Sequence, residues 1–116
     1  MVEGGPKAPE QGQILKLDRD PTLGHEQKGY RPVLVVSAAI FNAHTGFCWV
    51  VPITTPHKGL PNEIRLPEGL PIHGTLLLSQ LRSIDWRARP FSVSCTVRAD
   101  FLEDINARLS AVLEAE

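Results

Sequence analysis

The segment from Gly24 to Pro32 concentrates side chains that can exchange protons and bind anions. Its polar residues are a histidine, a glutamate, a glutamine, a lysine and an arginine, namely His25, Glu26, Gln27, Lys28 and Arg31. Glycine permits a mobile backbone, and Pro32 favours an extended conformation for Arg31 at the start of the apolar run that follows. A polar loop on a rigid strand is a frequent place for binding and catalysis. Ordinary connections before a core strand show the same pattern, so this segment alone leaves both interpretations open.

Two further segments carry polar groups that complement this loop. Thr54 and Thr55 end an apolar stretch, and Lys58 follows them in a loop rich in proline and glycine. The segment from Ser79 to Arg89 surrounds a tryptophan with polar side chains, which include Gln80, Arg82 and Arg87. Cationic side chains with an interleaved aromatic residue suit phosphates and stacked bases. The three segments together therefore indicate a nucleic-acid ligand.

Other kinds of site have little support in the sequence. The histidines at positions 25, 44, 57 and 73 show no HxH or HxxxH spacing, and carboxylates do not cluster beside them. We therefore expect no metal site. Cys48 and Cys95 form no CxxC pair and are expected to be buried free thiols. The loop from Gly24 to Gly29 lacks the GxxxxGK[ST] pattern of a phosphate-binding loop.

Length and composition predict one domain. The chain has 116 residues, of which 42% are hydrophobic, enough for a single core. Residues 1–11 are expected to form a disordered leader and residues 12–116 the domain. We find no secretion signal and no apolar stretch of membrane-spanning length, so a cytoplasmic location is expected. Residues 1–98 carry 11 Lys/Arg against 8 Asp/Glu, net +3, whereas residues 99–116 carry 1 against 5, net −4.

Hydrophobic patterning predicts a mainly β domain that ends in a helix. Short strands are expected at Gln13–Leu17, Pro32–Ser37, Phe47–Thr54, Asn62–Leu66, Gly74–Leu78 and Gln80–Ile84, with one helical turn within Ala38–His44. Pro52 implies an edge position or a bulge for its strand. Many short strands at close spacing are typical of a small barrel.

The C-terminal segment has helical periodicity. Asp100 is the predicted N-cap, with Glu103 three residues later as in a capping box. One face of the helix is apolar and carries Leu102, Ile105, Leu109, Val112 and Leu113. This pattern predicts an amphipathic helix of about three turns whose apolar stripe packs in the core.

The spacing of several short motifs resembles the MazF/PemK family of toxin endoribonucleases, and chromosomal MazF members in particular. The matching segments are Asp20-Pro21-Thr22, Gly24-His25-Glu26-Gln27, Arg31-Pro32-Val33-Leu34-Val35, Val51-Pro52-Ile53-Thr54-Thr55, Lys58-Gly59 and Ser83-Ile84 with Trp86-Arg87-Ala88-Arg89. Together they span almost all of residues 12–113. The resemblance implies an SH3-like, CcdB/MazF-type β-barrel with a C-terminal helix. It also implies a homodimer, a MazE-like antitoxin as partner, and cleavage of single-stranded RNA at short sequences without metal or cofactor.

The resemblance also implies roles for individual residues. Arg31 and Thr54 match the two residues most often implicated in catalysis, and His25 and Glu26 match loop residues with a possible base or supporting role. The implied RNA-binding residues are Gln27, Lys28, Thr55, Lys58, Gln80, Arg82 and Arg87. The chain departs from the family at Gln13, Leu15 and Tyr30. It also has Leu77 and Ser79 where some plasmid-type members carry a proposed catalytic arginine and aspartate.

Cleavage without metal can use the 2′-OH of the RNA as nucleophile and gives a 2′,3′-cyclic phosphate and a 5′-OH. Arginine stays charged at neutral pH, so Arg31 would stabilise charge on the phosphorane rather than carry a proton. Thr54 would donate a hydrogen bond to a nonbridging oxygen or position the 2′-OH. The identity of the general base stays open: His25 and Glu26 are candidates, and an unassisted role of the arginine is proposed for the family.

Two other functions are compatible with a small barrel of this kind. A gyrase-poisoning, CcdB-like toxin depends on C-terminal hydrophobic and aromatic residues, and the ending Ala111 to Glu116 disfavours it, as does the presence of Arg31 with Thr54. A non-catalytic RNA-binding module is the second alternative. An acidic, disordered antitoxin segment could thread a basic groove of the dimer, which the charge of residues 1–98 permits.

Overall fold

The computed structural model describes residues 7–18 and 30–114. The strands are β1 (Gln13–Asp18), β2 (Tyr30–Val35), β3 (Phe47–Thr54), β4 (Glu63–Arg65), β5 (Thr75–Leu77), β6 (Arg82–Asp85) and β7 (Phe91–Thr96). The helices are α1 (Ala39–Thr45) and α2 (Ala99–Leu113), and a 3₁₀ turn occupies Leu78–Gln80. No helix of the described chain is long and apolar enough to span a membrane.

All strand pairs are antiparallel and belong to one seven-stranded sheet with the order β4-β5-β3-β2-β1-β7. Strand β6 pairs with β3 on the same side as β5. The predicted class, a small mainly β fold with a C-terminal helix, is confirmed. The predicted strands agree with β1 to β6 to within a few residues, and Phe47–Thr54 has the observed bounds.

Alternation along the strands creates a core on each face of the sheet. The first core lies beneath α2 and contains Ile14, Leu34, Val51, Ile53, Leu76 and Ile105. The second core, on the opposite face, contains Leu15, Leu17, Val33, Val35, Cys48, Val50, Ile84 and Trp86. Successive strand residues point to opposite faces. The side chains of Arg31, Thr54 and Arg82 therefore lie on the face of the second core. Each is two or four residues along its strand from a member of that core, namely Val33, Val50 and Ile84.

The prediction that Pro52 marks an edge or a bulge is wrong, because β3 is a central strand and its register with β2 runs through Pro52 without a shift. The N–H of Val36 donates to the carbonyl of Trp49 at 2.9 Å, so the odd-numbered residues of β3 bond to β2. The backbone nitrogen of Pro52 therefore points away from β2. Pro52 lies between Val50, which pairs with Arg82 of β6, and Ile53, which pairs with Leu76 of β5. Proline has no backbone N–H, and it occupies the position where the partner of β3 changes from β6 to β5.

The N-terminal segment from residue 7 packs against the sheet, whereas a disordered leader was expected over residues 1–11. Pro9 is buried, and the side-chain amide of Gln11 donates to the carbonyl of Val36 at 2.8 Å. The carbonyl of Pro9 accepts a hydrogen bond from the side chain of the fully buried Asn42 at 2.8 Å. The composition shows that this segment is polar, but it does not show that the buried side chain of Asn42 binds it. Residues 1–6 lie outside the described residues.

Three further elements differ from the sequence predictions. The strand β7 was not predicted, although Phe91, Val93 and Cys95 alternate with hydroxyl residues. Helix α1 has seven residues rather than a single turn. Helix α2 has 15 residues and its N-cap is Arg98, so Asp100 is not the cap but lies in the first turn. Its carboxylate accepts hydrogen bonds from Arg98 Nε at 3.0 Å and from the N–H of Phe101 at 2.8 Å.

The apolar stripe of α2 is only partly in the core. Ile105 is fully buried and Leu102 and Leu109 pack against the first core, but Val112 is 78% exposed and Leu113 79% exposed. The last turn of α2 therefore does not pack in the first core.

Candidate active site

A transverse row of side chains crosses the second-core face at one end of the sheet. Arg65 pairs with Thr75, and Thr75 pairs with Thr54. On the other side, Phe91 pairs with Leu17, which pairs with Arg31. The row thus contains one residue from each of six strands. In order across the sheet these are Arg65 (β4), Thr75 (β5), Thr54 (β3), Arg31 (β2), Leu17 (β1) and Phe91 (β7).

Arg31 and Thr54 are neighbours because of the register between β2 and β3. The last paired residues are Val33 and Pro52, and two residues further along each strand the same register brings Arg31 level with Thr54. This position continues the non-hydrogen-bonded type of pair, in which opposite Cα atoms are about 4.5 Å apart and side chains are closest. Arg31 is exposed and Thr54 is half-buried. The guanidinium and the hydroxyl can therefore act on one small group.

Close contact between β3 and β5 fixes the backbone of Thr54. Gly74, directly before β5, has φ +149°, and a Cβ there would lie 2.7 Å from the carbonyl oxygen of Thr54 and 2.7 Å from Cγ2 of Ile53. Only glycine permits this approach without displacement. The hydroxyl of Thr54 is thus presented by a rigid strand, as a preorganised group requires.

The guanidinium of Arg82 lies near two other guanidinium groups beside the row. Burial lowers the pKa of Arg82, and the positive charges of Arg31 and Arg89 lower it further. An anion bound among these groups would relieve their mutual repulsion and gain several charge-assisted hydrogen bonds. This end of the sheet therefore favours a phosphate-bearing ligand. Arg89 and Arg65 were not among the predicted site residues, because only strand pairing and the turn after β6 bring them to Arg31 and Thr54.

A histidine covers the buried hydroxyl of the row. His57, in the loop between β3 and β4, has Nδ1 3.1 Å from Oγ1 of Thr75 and 3.8 Å from Oε1 of Glu63. Thr75 is 1% exposed. From the sequence, His57 was a candidate only for a metal ligand. The sequence feature that could have indicated its position is Glu63, six residues later at the start of the next short strand.

The other predicted RNA-binding residues fall into two groups. Thr55 and Lys58 are exposed in the loop that follows Thr54, and Gln80 is exposed in the 3₁₀ turn between β5 and β6. Arg87 lies near the opposite end of β3, where its Nη2 donates to the carbonyl of Ala43 at 2.8 Å and its Cζ lies 5.0 Å from the ring centre of Trp86. The structure does not bring Arg87 to the row.

The predicted loop residues His25, Glu26, Gln27 and Lys28 lie outside the described residues. Both ends of that connection are described. The backbone of Asp18 pairs with that of Tyr30, one position beyond the pair of Leu17 with Arg31. Asp18 and Tyr30, the described residues that flank this connection, therefore lie next to the pair of Leu17 and Arg31.

No group of three or more His, Cys, Asp or Glu side chains within residues 7–18 and 30–114 is arranged to hold a metal ion. The two cysteines are free; Cys48 is buried and Cys95 half-buried. Burial raises the pKa of the Cys48 thiol to about 11, which disfavours the reactive thiolate.

Comparison with known proteins identifies the family of this chain. Residues 10–113 match the model of a family described as PemK-like, MazF-like toxin of type II toxin-antitoxin system. The chain belongs to this PemK-like, MazF-like family. The resemblance drawn from the sequence motifs is thereby confirmed.

Several members of the family are similar over nearly their whole length. The endoribonuclease toxin MazF of Escherichia coli K12 is 40% identical over 105 residues, which cover 90% of this chain and 94% of that protein. The endoribonuclease PemK of Escherichia coli is 35% identical over 108 residues, which cover 90% of this chain and 81% of that protein. Among solved structures, a MazE-MazF complex from Deinococcus radiodurans has a TM-score of 0.80 at 32% identity, covering 94% of this chain and 98% of that chain.

Proposed function

We propose that this protein is the toxin of a toxin–antitoxin system and a sequence-specific endoribonuclease that cleaves single-stranded messenger RNA in the cytoplasm. Cleavage would stop translation and growth. The observation that carries the proposal is the adjacency of Arg31 and Thr54 in one row, beside the guanidiniums of Arg82 and Arg89. Family membership and the endoribonuclease names of the similar Escherichia coli proteins support the same activity.

The proposed reaction is attack of the 2′-OH on the adjacent phosphorus. The 2′ oxygen forms a bond to phosphorus, the bond to the 5′ oxygen breaks, and the products are a 2′,3′-cyclic phosphate and a 5′-OH. Arg31 stabilises the negative charge on the phosphorane. Thr54 donates a hydrogen bond to a nonbridging oxygen, and Arg82 with Arg89 binds neighbouring phosphates. Thr55, Lys58 and Gln80 lie where flanking nucleotides would pass.

We expect the purified protein to cut a long defined RNA at a short recurring sequence and to keep its rate in EDTA. Arginine side chains at the site can provide the charge stabilisation that a metal ion would otherwise supply. Mapping of cut ends by sequencing, with enzymatic tests for cyclic phosphate and 5′-OH, measures both properties. Loss of cleavage in EDTA with recovery in Mg²⁺ would contradict the mechanism. Binding without cutting would favour the RNA-binding module, and gyrase inhibition without RNA cleavage the CcdB-like toxin.

We further propose that two copies associate through an apolar groove on the α2 side of the sheet. The groove has a volume of about 760 Å³, and its walls include Trp49, Leu81, Leu109, Val112 and Leu113. Trp49 is 43% exposed despite its size. Such an exposed apolar area in one chain is typical of an association surface. The groove lies on the face opposite Arg31.

The variant Leu113→Asp should shift the protein from dimer to monomer at micromolar concentration, because it places a charge in the apolar groove. Analytical ultracentrifugation measures the change. Ala111→Asp adds the same charge to an exposed position of α2 that does not line the groove, and this control should remain dimeric. An unchanged dimer in Leu113→Asp would contradict the assignment of this surface.

The proposed regulatory partner is a MazE-like antitoxin with an acidic, disordered segment. The net charge of +3 on residues 1–98 and the guanidinium cluster would attract such a segment. The MazE-MazF complexes from Deinococcus radiodurans support a partner of this class.

A further inference from the structure

His57 is held in a defined orientation by two partners on one side of its ring. Its Nδ1 lies 3.1 Å from the hydroxyl of Thr75 and 3.8 Å from the carboxylate of Glu63. The side chain keeps 24% of its surface exposed. Because Nδ1 faces both partners, Nε2 points away from them. Among the described histidines, which also include His44 and His73, only His57 has a described carboxylate within 4 Å.

The carboxylate of Glu63 is kept ionised by its surroundings. Desolvation would raise its pKa, but hydrogen bonds from backbone N–H groups of the loop and the charge of His57 outweigh it, so the pKa is lowered. The N–H groups of Lys58 and Gly59 donate to Oε1 at 2.7 and 3.0 Å. An ionised carboxylate near Nδ1 favours a proton on that nitrogen and leaves Nε2 free to accept one.

The imidazole lies at the same end of the same face as the row. Its partner Thr75 is the cross-strand neighbour of Thr54, and Thr54 is level with Arg31. The charged residues around His57 are Glu63 and Arg65 on β4 and Lys58 in its own loop, with Arg31 two strands away. Side chains of directly opposite strand residues are about 5 Å apart. An RNA phosphate bound by Arg31 and Thr54 would therefore place its ribose within reach of this loop.

We propose that His57 is the general base of the RNA cleavage, oriented by Thr75 and Glu63; this inference rests on the proposed function. Nε2 takes the proton of the 2′-OH as the 2′ oxygen bonds to phosphorus. The electron pair of the broken bond goes to the 5′ oxygen, which takes a proton from water. The carboxylate of Glu63 stabilises the imidazolium, which then returns its proton to solvent. The identity of the base is open from the sequence alone, and its candidates His25 and Glu26 lie outside the described residues.

The test is the single-turnover cleavage rate of His57→Ala and His57→Gln between pH 5 and 8. A histidine base makes the wild-type rate rise with pH in this range, because protonated imidazole cannot accept the proton. Both variants should be about 10²-fold slower and lose this rise. Added imidazole should restore part of the rate to His57→Ala. His44→Ala, which removes an exposed histidine of α1, should keep the wild-type profile.

A second variant separates orientation from folding. Thr75→Val keeps the size of the side chain but removes the hydroxyl that contacts Nδ1, and it should reduce the rate about tenfold while keeping the rise with pH. An unchanged pH profile in both His57 variants, or a His57→Ala rate within threefold of wild type, would overturn the inference. If wild type cleaves RNA and Arg31→Ala does not, either of these outcomes for the His57 variants rejects only the role of His57 as the base and leaves the proposed function in place. If wild type does not cleave RNA, the proposed function itself fails.

Discussion

Arg31→Ala should lower the RNA cleavage rate by about 10²- to 10³-fold, the usual effect of removing one preorganised donor to a transition-state charge. Its side chain is exposed, so its loss should leave the melting temperature almost unchanged. Arg31→Lys should recover only part of the rate, because an ammonium keeps the charge but cannot hold two phosphate oxygens at once. Single-turnover assays with the defined RNA measure both rates.

The matched control is Arg98→Ala, which removes an exposed guanidinium that is paired with Asp100 at the start of α2, away from the row. It should cleave at the wild-type rate. Thr54→Val tests the partner of Arg31, and the double variant should lose less than the two single effects combined if both groups act on one phosphate. Near-normal cleavage by Arg31→Ala would reject the assignment of the row as the active site.

Asn42→Ala should lower the free energy of unfolding by about 3 kcal/mol, since each buried hydrogen bond contributes roughly 1 kcal/mol and its unpaired partners lose more. The fully buried amide donates to the carbonyls of Pro9 and Ser37 at 2.8 and 3.2 Å and accepts from the Ser37 hydroxyl at 2.5 Å. Its backbone carbonyl accepts from Nε1 of Trp86 at 2.8 Å. The residue thus joins the N-terminal segment, α1 and the second core.

A loss of this size corresponds to about 10 °C in melting temperature for a domain of this length. Thermal unfolding at one fixed protein concentration measures it. Asn106→Ala removes the same group from a half-buried position whose side chain makes no hydrogen bond with a described residue, and it should change stability by less than about 1 kcal/mol. Equal stability of the two variants would show that the contacts of Asn42 are replaceable.

Local patterns predicted the strands that carry Arg31 and Thr54 because both are continuous apolar runs bounded by turn residues. The same patterns missed β7, whose alternation is weakened by serine and threonine, and misassigned Pro52. A hydrophobic period shows which face of a strand is buried, but it does not show which strand lies beside it. The exposure of Val112 and Leu113 was missed for a similar reason, since a helical stripe does not reveal where the surface beneath it ends.

The amino-acid sequence by itself determined the mainly β class, the C-terminal helix and the family, and it predicted Arg31 and Thr54 as catalytic residues. These depend on local periodicity and on short ordered motifs. Only the tertiary structure decided that Arg65, Thr75, Thr54 and Arg31 share one row, that Arg31 and Arg89 both lie near Arg82, and that Glu63 and Thr75 contact His57. Antiparallel register and loop closure bring together residues far apart in the chain, and no local spacing encodes those contacts.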